Sequence, residues 1–558
     1  MSEPHEYEPE IDASSAQEPA EATDETATTE ATDEIVGAES GETPIAKEPK
    51  KPRTDREIER KLRVPPLFTL PPITGEDTGV ARVVARPPFV LTAAYYDTDD
   101  LRLARWGVTF RRREGGSDAG WHLKLPVAGG HPGDRDEVTL PLDAGEPGNP
   151  PSELVELVSA LVRGAPLREV ATLRTERTPF LLRDHDDRLI AELVDDVVSV
   201  LDGERVAGRF REIEVEARDG DTDDLDRVLT VLLAAGAEPG TTSKAAHALG
   251  PRATAPPDVP APVTIPGPRD PASAAVHVHL LSQARRLLLN DVRMRRDLPD
   301  AVHQMRVAAR RLRSSMRTFR PLVDREWADH LRDELGWLAG ELGAIRDTEV
   351  LLNRLDAHCD LIDDQAGREA ARGVVDRALG AQLVTARASA LEALRSERYR
   401  TLLDVLVVAV REPAFTDEAS RPARAVLPAL SWDAWKRLKR EGEWLTHDTE
   451  AEQWHRTRII AKRARYAAEA LEPVFGADAQ TLAQSLEAVT ELLGEHQDAS
   501  VAQDAIRLMA SDPTLTGVEG WGLGLLHGVE IDSEQRSRIE FIPVWAAAVK
   551  AHRRSRLR

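Results

Sequence analysis

One cysteine, Cys359, occurs among 558 residues. An intramolecular disulfide and a multi-cysteine zinc site are therefore excluded, which fits a reducing compartment. Nowhere do 18 or more apolar residues follow one another, the length a membrane-spanning helix needs. The N-terminal stretch lacks both the basic region and the apolar region of a secretory signal. The chain is expected to be soluble and cytoplasmic. Basic residues are also in deficit: 73 Lys+Arg against 96 Asp+Glu give a formal charge of -23, which argues against a general nucleic-acid binder.

The deficit is concentrated. Up to about residue 50, Glu, Asp, Ala, Thr and Pro dominate, and only Lys47 and Lys50 oppose the acids. Such a segment has too little apolar surface to offset chain entropy, so residues 1–52 are expected to be a disordered acidic tail. Conversely, 303–320, 454–466 and the stretch from His552 to Arg556 are densely basic, and local fields matter more than the sum. The length allows two to four domains.

From about 53 to 250 the chain reads as short alternating segments broken by Gly, Pro and Asp, the pattern of an antiparallel sheet or barrel. Strands are expected at 90–96, 108–113, 121–125, 137–142, 177–183, 189–201 and 209–217, with helices at 152–163 and 222–235. In the opening stretch 55–62, strand alternation sends Glu57, Glu59 and Lys61 to one face and Ile58, Arg60 and Leu62 to the other. Arg111 pairs in parity with Arg113, His122 with Lys124, Glu192 with Asp196, and Glu212 with Glu214 and Glu216. Each strand thus carries repeated charge on one face and mostly apolar side chains on the other, as with Ile213 and Val215. A wet outer face and a charged barrel lumen both satisfy that pattern.

Glu57-x-Glu59-x-Lys61, Tyr95-Tyr96-Asp97-Thr98, Leu101-x-x-x-Arg105-x-Gly107, Phe110-Arg111-x-Arg113, Trp121-x-Leu123-Lys124, Glu212-Ile213-Glu214-Val215-Glu216 and Ser243-Lys244 occur in this order. Together they resemble the CYTH family, the triphosphate tunnel metalloenzymes. The resemblance implies an eight-stranded antiparallel tunnel that hydrolyses or cyclises a triphosphate with Mg²⁺ or Mn²⁺. It implies metal binding by Glu57, Glu59, Asp196, Glu212, Glu214 and Glu216, and substrate binding by Lys61, Arg111, Arg113, Lys124, Arg177 and Lys244. Lys61, with Glu57 and Glu59, is the expected catalytic group, positioning or deprotonating a water. Asp195 adjoins Asp196, and parity with Glu192 selects Asp196. Arg174 and Glu137 stand behind these. The division is physically sensible, because carboxylate oxygens suit hard divalent cations and clustered cations suit a triphosphate of about four negative charges.

Residues 251–271 are Pro-rich and are expected to form a semi-extended linker outside either core. Beyond them the hydrophobic period becomes helical, and a repeat emerges. His303, Arg306, Arg310, Arg311 and Arg313 answer His455, Arg458, Lys462, Arg463 and Arg465 at equal offsets. About forty residues later, Leu342-Gly343 with Asp347 answers Leu493-Gly494 with Asp498. Two copies are expected, at about 272–411 and 431–555. On a helical wheel His303, Arg306, Arg310 and Arg313 form one basic stripe, and His455, Arg458, Lys462 and Arg465 another. Glu469 breaks the match, standing where the first copy has Arg317. Residues 272–555 resemble the CHAD family, the conserved histidine α-helical domain, which implies an all-α bundle of two four-helix pseudo-repeats binding inorganic polyphosphate through these eight residues.

The expected whole is a multidomain α+β protein, a Mg²⁺- or Mn²⁺-dependent hydrolase of inorganic triphosphate with a tethered polyphosphate-binding bundle and no nucleic-acid or membrane partner. A non-catalytic polyphosphate-binding protein, and an adenylyl cyclase or thiamine triphosphatase, are the alternatives.

Overall fold

The computed structural model describes residues 52–127, 129–131 and 133–555; all but the last residue of the expected acidic tail lies outside them. The strands are β1 (Arg53–Val64), β2 (Arg82–Ala85), β3 (Phe89–Asp97), β4 (Thr109–Glu114), β5 (Gly120–Pro126), β6 (Asp134–Leu140), β7 (Arg168–Arg183), β8 (Leu189–Asp202), β9 (Arg205–Ala217) and β10 (Glu238–Gly240). They pair antiparallel in the order β1-β6-β5-β4-β3-β7-β8-β9, and β9 returns to β1 to close an eight-stranded barrel. β2 adds to β7 and β10 to β1. Short helices α1 (Arg102–Arg105), α2 (Ser152–Leu157), α3 (Ser159–Val162), α4 (Thr222–Ala234) and α5 (Lys244–Leu249) decorate it.

Alternation decides which face is which. Leu62 of β1 and Ile213 and Val215 of β9 point outward, fully buried under Leu225, Val228 and Leu232 of α4. Each such side chain contributes about 1.5–3 kcal/mol. Asp221 starts α4 with a capping box, accepting from the amides of Asp223 and Asp224. Between β3 and β4, Asp97 accepts from the amides of Thr98, Leu103 and Ala104 at 2.7–2.9 Å and so organises α1. Gly107 closes that turn at φ +75°, where its amide reaches the Ala104 carbonyl. These two residues explain the Tyr-Tyr-Asp-Thr step and the Arg-x-Gly spacing.

Several expected boundaries shift. β6 begins at Asp134 rather than 137, and β7 runs back to Arg168. The expected helix 152–163 is broken at Val158 into α2 and α3, and β2, β10 and α5 were not expected.

The helical half comprises α6 (Ala272–Arg295), α7 (Ala301–Thr318), α8 (Arg325–Cys359), α9 (Gln365–Arg395), α10 (Glu397–Arg411), α11 (Ala423–Gly442), α12 (Ala451–Glu469), α13 (Glu472–Phe475), α14 (Ala477–Ala510) and α15 (Gly517–Arg554). Helices α6–α9 and α11, α12, α14 and α15 form two similar four-helix series, packed sequentially within each copy. The copies start from a shared clasp: the Ala272 amide donates to the Arg421 carbonyl at 2.9 Å, and the Ala423 amide to the Asp270 carbonyl at 2.8 Å. No helix among the described residues is long and apolar enough to cross a membrane.

The 251–271 segment is not a free spacer. Val259 is fully buried, in a core that runs from Tyr96, Trp106 and Trp121 on the barrel's outer face to Leu280 and Leu287 of α6. The apolar face that alternation gives β3–β6 must be covered, and α6 covers it. Arg285 stacks 4.6 Å over Trp106 and donates to the Val259 carbonyl. Asp258 accepts from Trp106 Nε1 at 2.9 Å and pairs with Arg163, whose side chain is only 4% exposed. Asp258→Ala leaves Trp106 Nε1 without its acceptor and Arg163 with Asp404, at 3.0 Å, as its remaining carboxylate, so a loss of about 1–3 kcal/mol is expected. Urea unfolding of the full chain reads it, and an unchanged midpoint would remove Asp258 from the account of the joint.

Candidate active site

Every second residue of the barrel strands points inward, and register sets each beside a cross-strand partner. Lys61 lies opposite Glu214, Lys124 opposite Glu137, and Arg177 opposite Asp196. Lys61 Nζ sits 2.9 Å from Glu214 and 3.1 Å from Glu59. Lys124 donates to both oxygens of Glu57 at 2.6 and 2.8 Å. Arg177 makes a bidentate pair with Asp196 at 2.7 and 2.9 Å and reaches Glu214 at 3.2 Å. Asp196 opposite Glu212 is a like-charge pair. Lys244 resolves it.

Lys244 enters from the first turn of α5, whose cap is Ser243. Its ammonium lies 3.0 Å from Asp196, 2.6 Å from Glu212 and 2.8 Å from Glu214. Ligand oxygens of these three buried carboxylates all fall within 4.8 Å of one another, and Glu212 Oε1, although beside Lys244, accepts no hydrogen bond. Hard oxygen donors at this spacing fit a divalent cation such as Mg²⁺ or Mn²⁺. The other expected acids do not touch Lys244: Glu57 pairs with Lys124, Glu59 with Lys61, which it shares with Glu214, and Glu216 with Arg218 at 2.6 Å. Acids and bases are thus interleaved rather than segregated on two opposed walls.

Arg111 and Arg113 are less satisfied. Arg111 reaches Glu137 only at 3.5 Å, Arg113 pairs with Asp118 near the rim, and the Nε atoms of both are buried without a partner. Burial and the neighbouring charges of Arg111 and Arg177 push the Arg113 guanidinium down to about 9. With Glu57, Glu59, Lys61, Lys124 and Arg177 they line a cavity of about 160 Å³. Glu137, set behind the main candidates, also faces this interior beside His122 and Lys124. Arg174 does not: it is exposed. Asp195 lies on the outer face, bound to Arg211 at 2.6 and 2.8 Å, whereas Asp196 is fully buried within, as parity requires.

Titration follows from this packing. Burial opposes the charge on Lys61, but Glu214 and Glu59 outweigh it and hold the ammonium well above the ordinary lysine range. Of the two roles expected for Lys61, that charge suits positioning and not deprotonation. Glu216, half-buried, is pushed up to about 7 by desolvation and by Glu57 and Glu59.

A second polar cavity, about 580 Å³, lies between the helical copies, lined from α7, α8, α12 and α14. It gathers His303, Arg306, Arg310, His455, Arg458 and Lys462, six of the eight expected residues. Arg306 pairs with Asp347 at 2.7 Å and Arg458 with Asp498 at 3.4 Å, which accounts for the repeated Gly…Asp signal. A Cβ on Gly343 or Gly494 would meet those guanidiniums at 3.7 and 3.8 Å. Both Nε atoms are buried and unpartnered. Burial, with Arg458 and Arg310, pushes Lys462 down to about 7. Arg465 and Arg313 lie outside this groove. Arg465 is spent on Glu469, Glu487 and Thr490, and Arg313 is exposed beside Gly336. Arg346 and Arg354 line the groove and had not been singled out; both lie on the face of α8 that carries Asp347.

Residues 55–248 match the CYTH domain and residues 279–507 the CHAD domain. Protein MT2285 of Mycobacterium tuberculosis is 34% identical over 525 residues, 91% of this chain and 99% of that one. The chain belongs to the CYTH–CHAD proteins. PptA from Streptomyces chartreusis is 27% identical, with a TM-score of 0.43, covering 50% of this chain and all of its own. The CHAD domain of Ricinus communis is 25% identical, with a TM-score of 0.42, covering 52% of this chain and 95% of its own.

Lys244→Met leaves three carboxylates of the CYTH domain without their shared cation. The thermal midpoint is expected to fall, and millimolar MgCl₂ or MnCl₂ to restore more of it than either adds to wild type. Equal response of the two proteins would argue against the triad as a cation site.

Proposed function

We propose that this CYTH–CHAD protein hydrolyses inorganic triphosphate, or a related linear triphosphate, in the barrel with Mg²⁺ or Mn²⁺, and binds inorganic polyphosphate in the helical groove. The reading is carried by one juxtaposition: a carboxylate triad suited to a hard cation meets, through Glu214 and its partner Lys244, a small cavity lined by guanidiniums whose inner nitrogens lack partners. A polyanion binder alone gains nothing from buried acids.

A divalent cation held by Asp196, Glu212 and Glu214 would neutralise phosphate charge and acidify a water. The remaining work falls to side chains. Arg111 and Arg113 offer free donors to non-bridging oxygens. Arg177 and Lys244 exchange their present carboxylates for phosphate oxygens as the substrate enters, while Lys61 and Lys124 keep Glu59 and Glu57 and turn a remaining N–H to the substrate, which holds the chain in line. Glu57 and Glu59 steady Lys124 and Lys61, and the Lys61 ammonium orients the attacking water. Water oxygen bonds to the terminal phosphorus, the bridging P–O bond breaks, pyrophosphate leaves with that oxygen, and the proton lost by the water passes to a phosphate oxygen of the products.

A vestibule supports a second reading. About 450 Å³ in volume, it adjoins the cavity at Glu59, Lys61 and Lys124, and carries Val108, Leu229 and Leu233. Its apolar walls suit an organic group on a triphosphate, as in an adenylyl cyclase or thiamine triphosphatase.

Phosphate release from tripolyphosphate should require Mg²⁺ or Mn²⁺ and slow by about 10²–10³ in Arg111→Ala or Glu214→Ala with unchanged circular dichroism. Binding without turnover would leave a non-catalytic polyphosphate protein, and faster turnover of ATP or thiamine triphosphate would favour the second reading. In the groove, Arg306→Ala with Arg458→Ala should weaken polyphosphate binding and flatten its salt dependence. At pH 8 the wild type should also take up protons on binding, because a polyanion raises Lys462 from about 7. Calorimetry in buffers of different ionisation enthalpy reads that uptake, and its absence would take Lys462 out of the groove's contacts.

A further inference from the structure

A third cavity, of about 710 Å³, lies between α6, α12, α13 and the first turns of α14. It belongs to neither site above, and its chemistry is different. His279, only 8% exposed, lines it with Nε2 unpartnered, and Gln283 Oε1 is buried without a donor. Burial and the Arg311 charge hold the His279 ring down at about 4, so at neutral pH one ring nitrogen is a bare acceptor. Glu472 has no cationic side chain within 4.0 Å among the described residues, and burial with Glu469 and Glu487 raises its carboxyl.

The cations here are already committed. Arg311 and Arg465 both hold Glu469 at 2.7 Å, and Arg465 also holds Glu487. Both guanidiniums are thus spent on Glu469 and Glu487, whereas Glu472 and the inner acceptors of His279 and Gln283 are not, a balance that favours a donor-rich cation over an anion. A single metal ion fits poorly, because among the described residues only Asp196, Glu212 and Glu214 bring three ligand atoms within 4.8 Å. Between the polar groups lie Ile265, Val278, Pro473 and Ala477, a surface for methylene groups.

We propose that this cavity binds an aliphatic di- or polyamine, whose ammonium groups meet Glu472 and the free acceptors of His279 and Gln283 while its methylene chain follows the apolar wall. Glu469, the departure from the basic repeat, is then the residue that turns this end of the bundle from anion-binding to cation-binding.

Isothermal titration of the full chain with spermidine, free of phosphate compounds and divalent ions, tests it. Saturable binding at one site is expected, weakened at least about tenfold in Glu472→Gln and in His279→Leu but unchanged in the tunnel variant Glu212→Gln. Glu472 lies at a partly exposed helix start, so its variant is a safe reference if His279→Leu misfolds. Absence of saturable binding at millimolar spermidine, equal affinity in Glu472→Gln, or loss in Glu212→Gln instead would overturn the proposal.

Discussion

A closed sheet that points every second side chain inward must fill its centre with whatever those positions carry. Here they carry charge, and isolated charges cost several kcal/mol each away from water. Cross-strand register makes the arrangement tolerable, since Lys61 meets Glu214, Lys124 meets Glu137 and Arg177 meets Asp196 across single rungs. Where two acids fall on one rung, at Asp196 and Glu212, a lysine is supplied from outside the sheet by α5. The outward positions then provide the apolar area that holds the barrel together, against α4 on one side and α6 on the other.

The helical half solves the opposite problem, since its basic stripes crowd like charges. Duplication places one stripe from each copy across a common groove, and one aspartate per copy, Asp347 or Asp498, relieves part of the repulsion. The copies are not equivalent. Arg346 of the first faces the groove where the second has Gln497, which bonds His455. At the far end Glu469 draws Arg311 and Arg465 together, so charge along α12 changes from uncompensated to balanced within three turns.

Much of this was legible in the sequence because strand parity and helical period are local. Glu57, Glu59 and Lys61 share the lumen, and Ile58 and Leu62 the outer core, as alternation alone requires. The same parity separated Asp196 from Asp195. What escaped needs three dimensions. No local pattern shows that Val259, inside a Pro-rich stretch, completes a core, because the Trp106 it packs with is supplied by the barrel. Nor does a helical wheel show that Arg465 faces Glu487 from another helix, since the wheel knows only its own helix. Nor does any single strand reveal the register that interleaves acids and bases across the lumen.

The continuous core from Trp121 through Val259 to Leu280 has a mechanical consequence. A chain hinged at a proline-rich tether would let its two halves tumble independently, and whatever one half captured would reach the other only by diffusion. With Val259 and Trp106 in one core with α6, barrel and bundle instead share buried surface, and parting them would expose it to water.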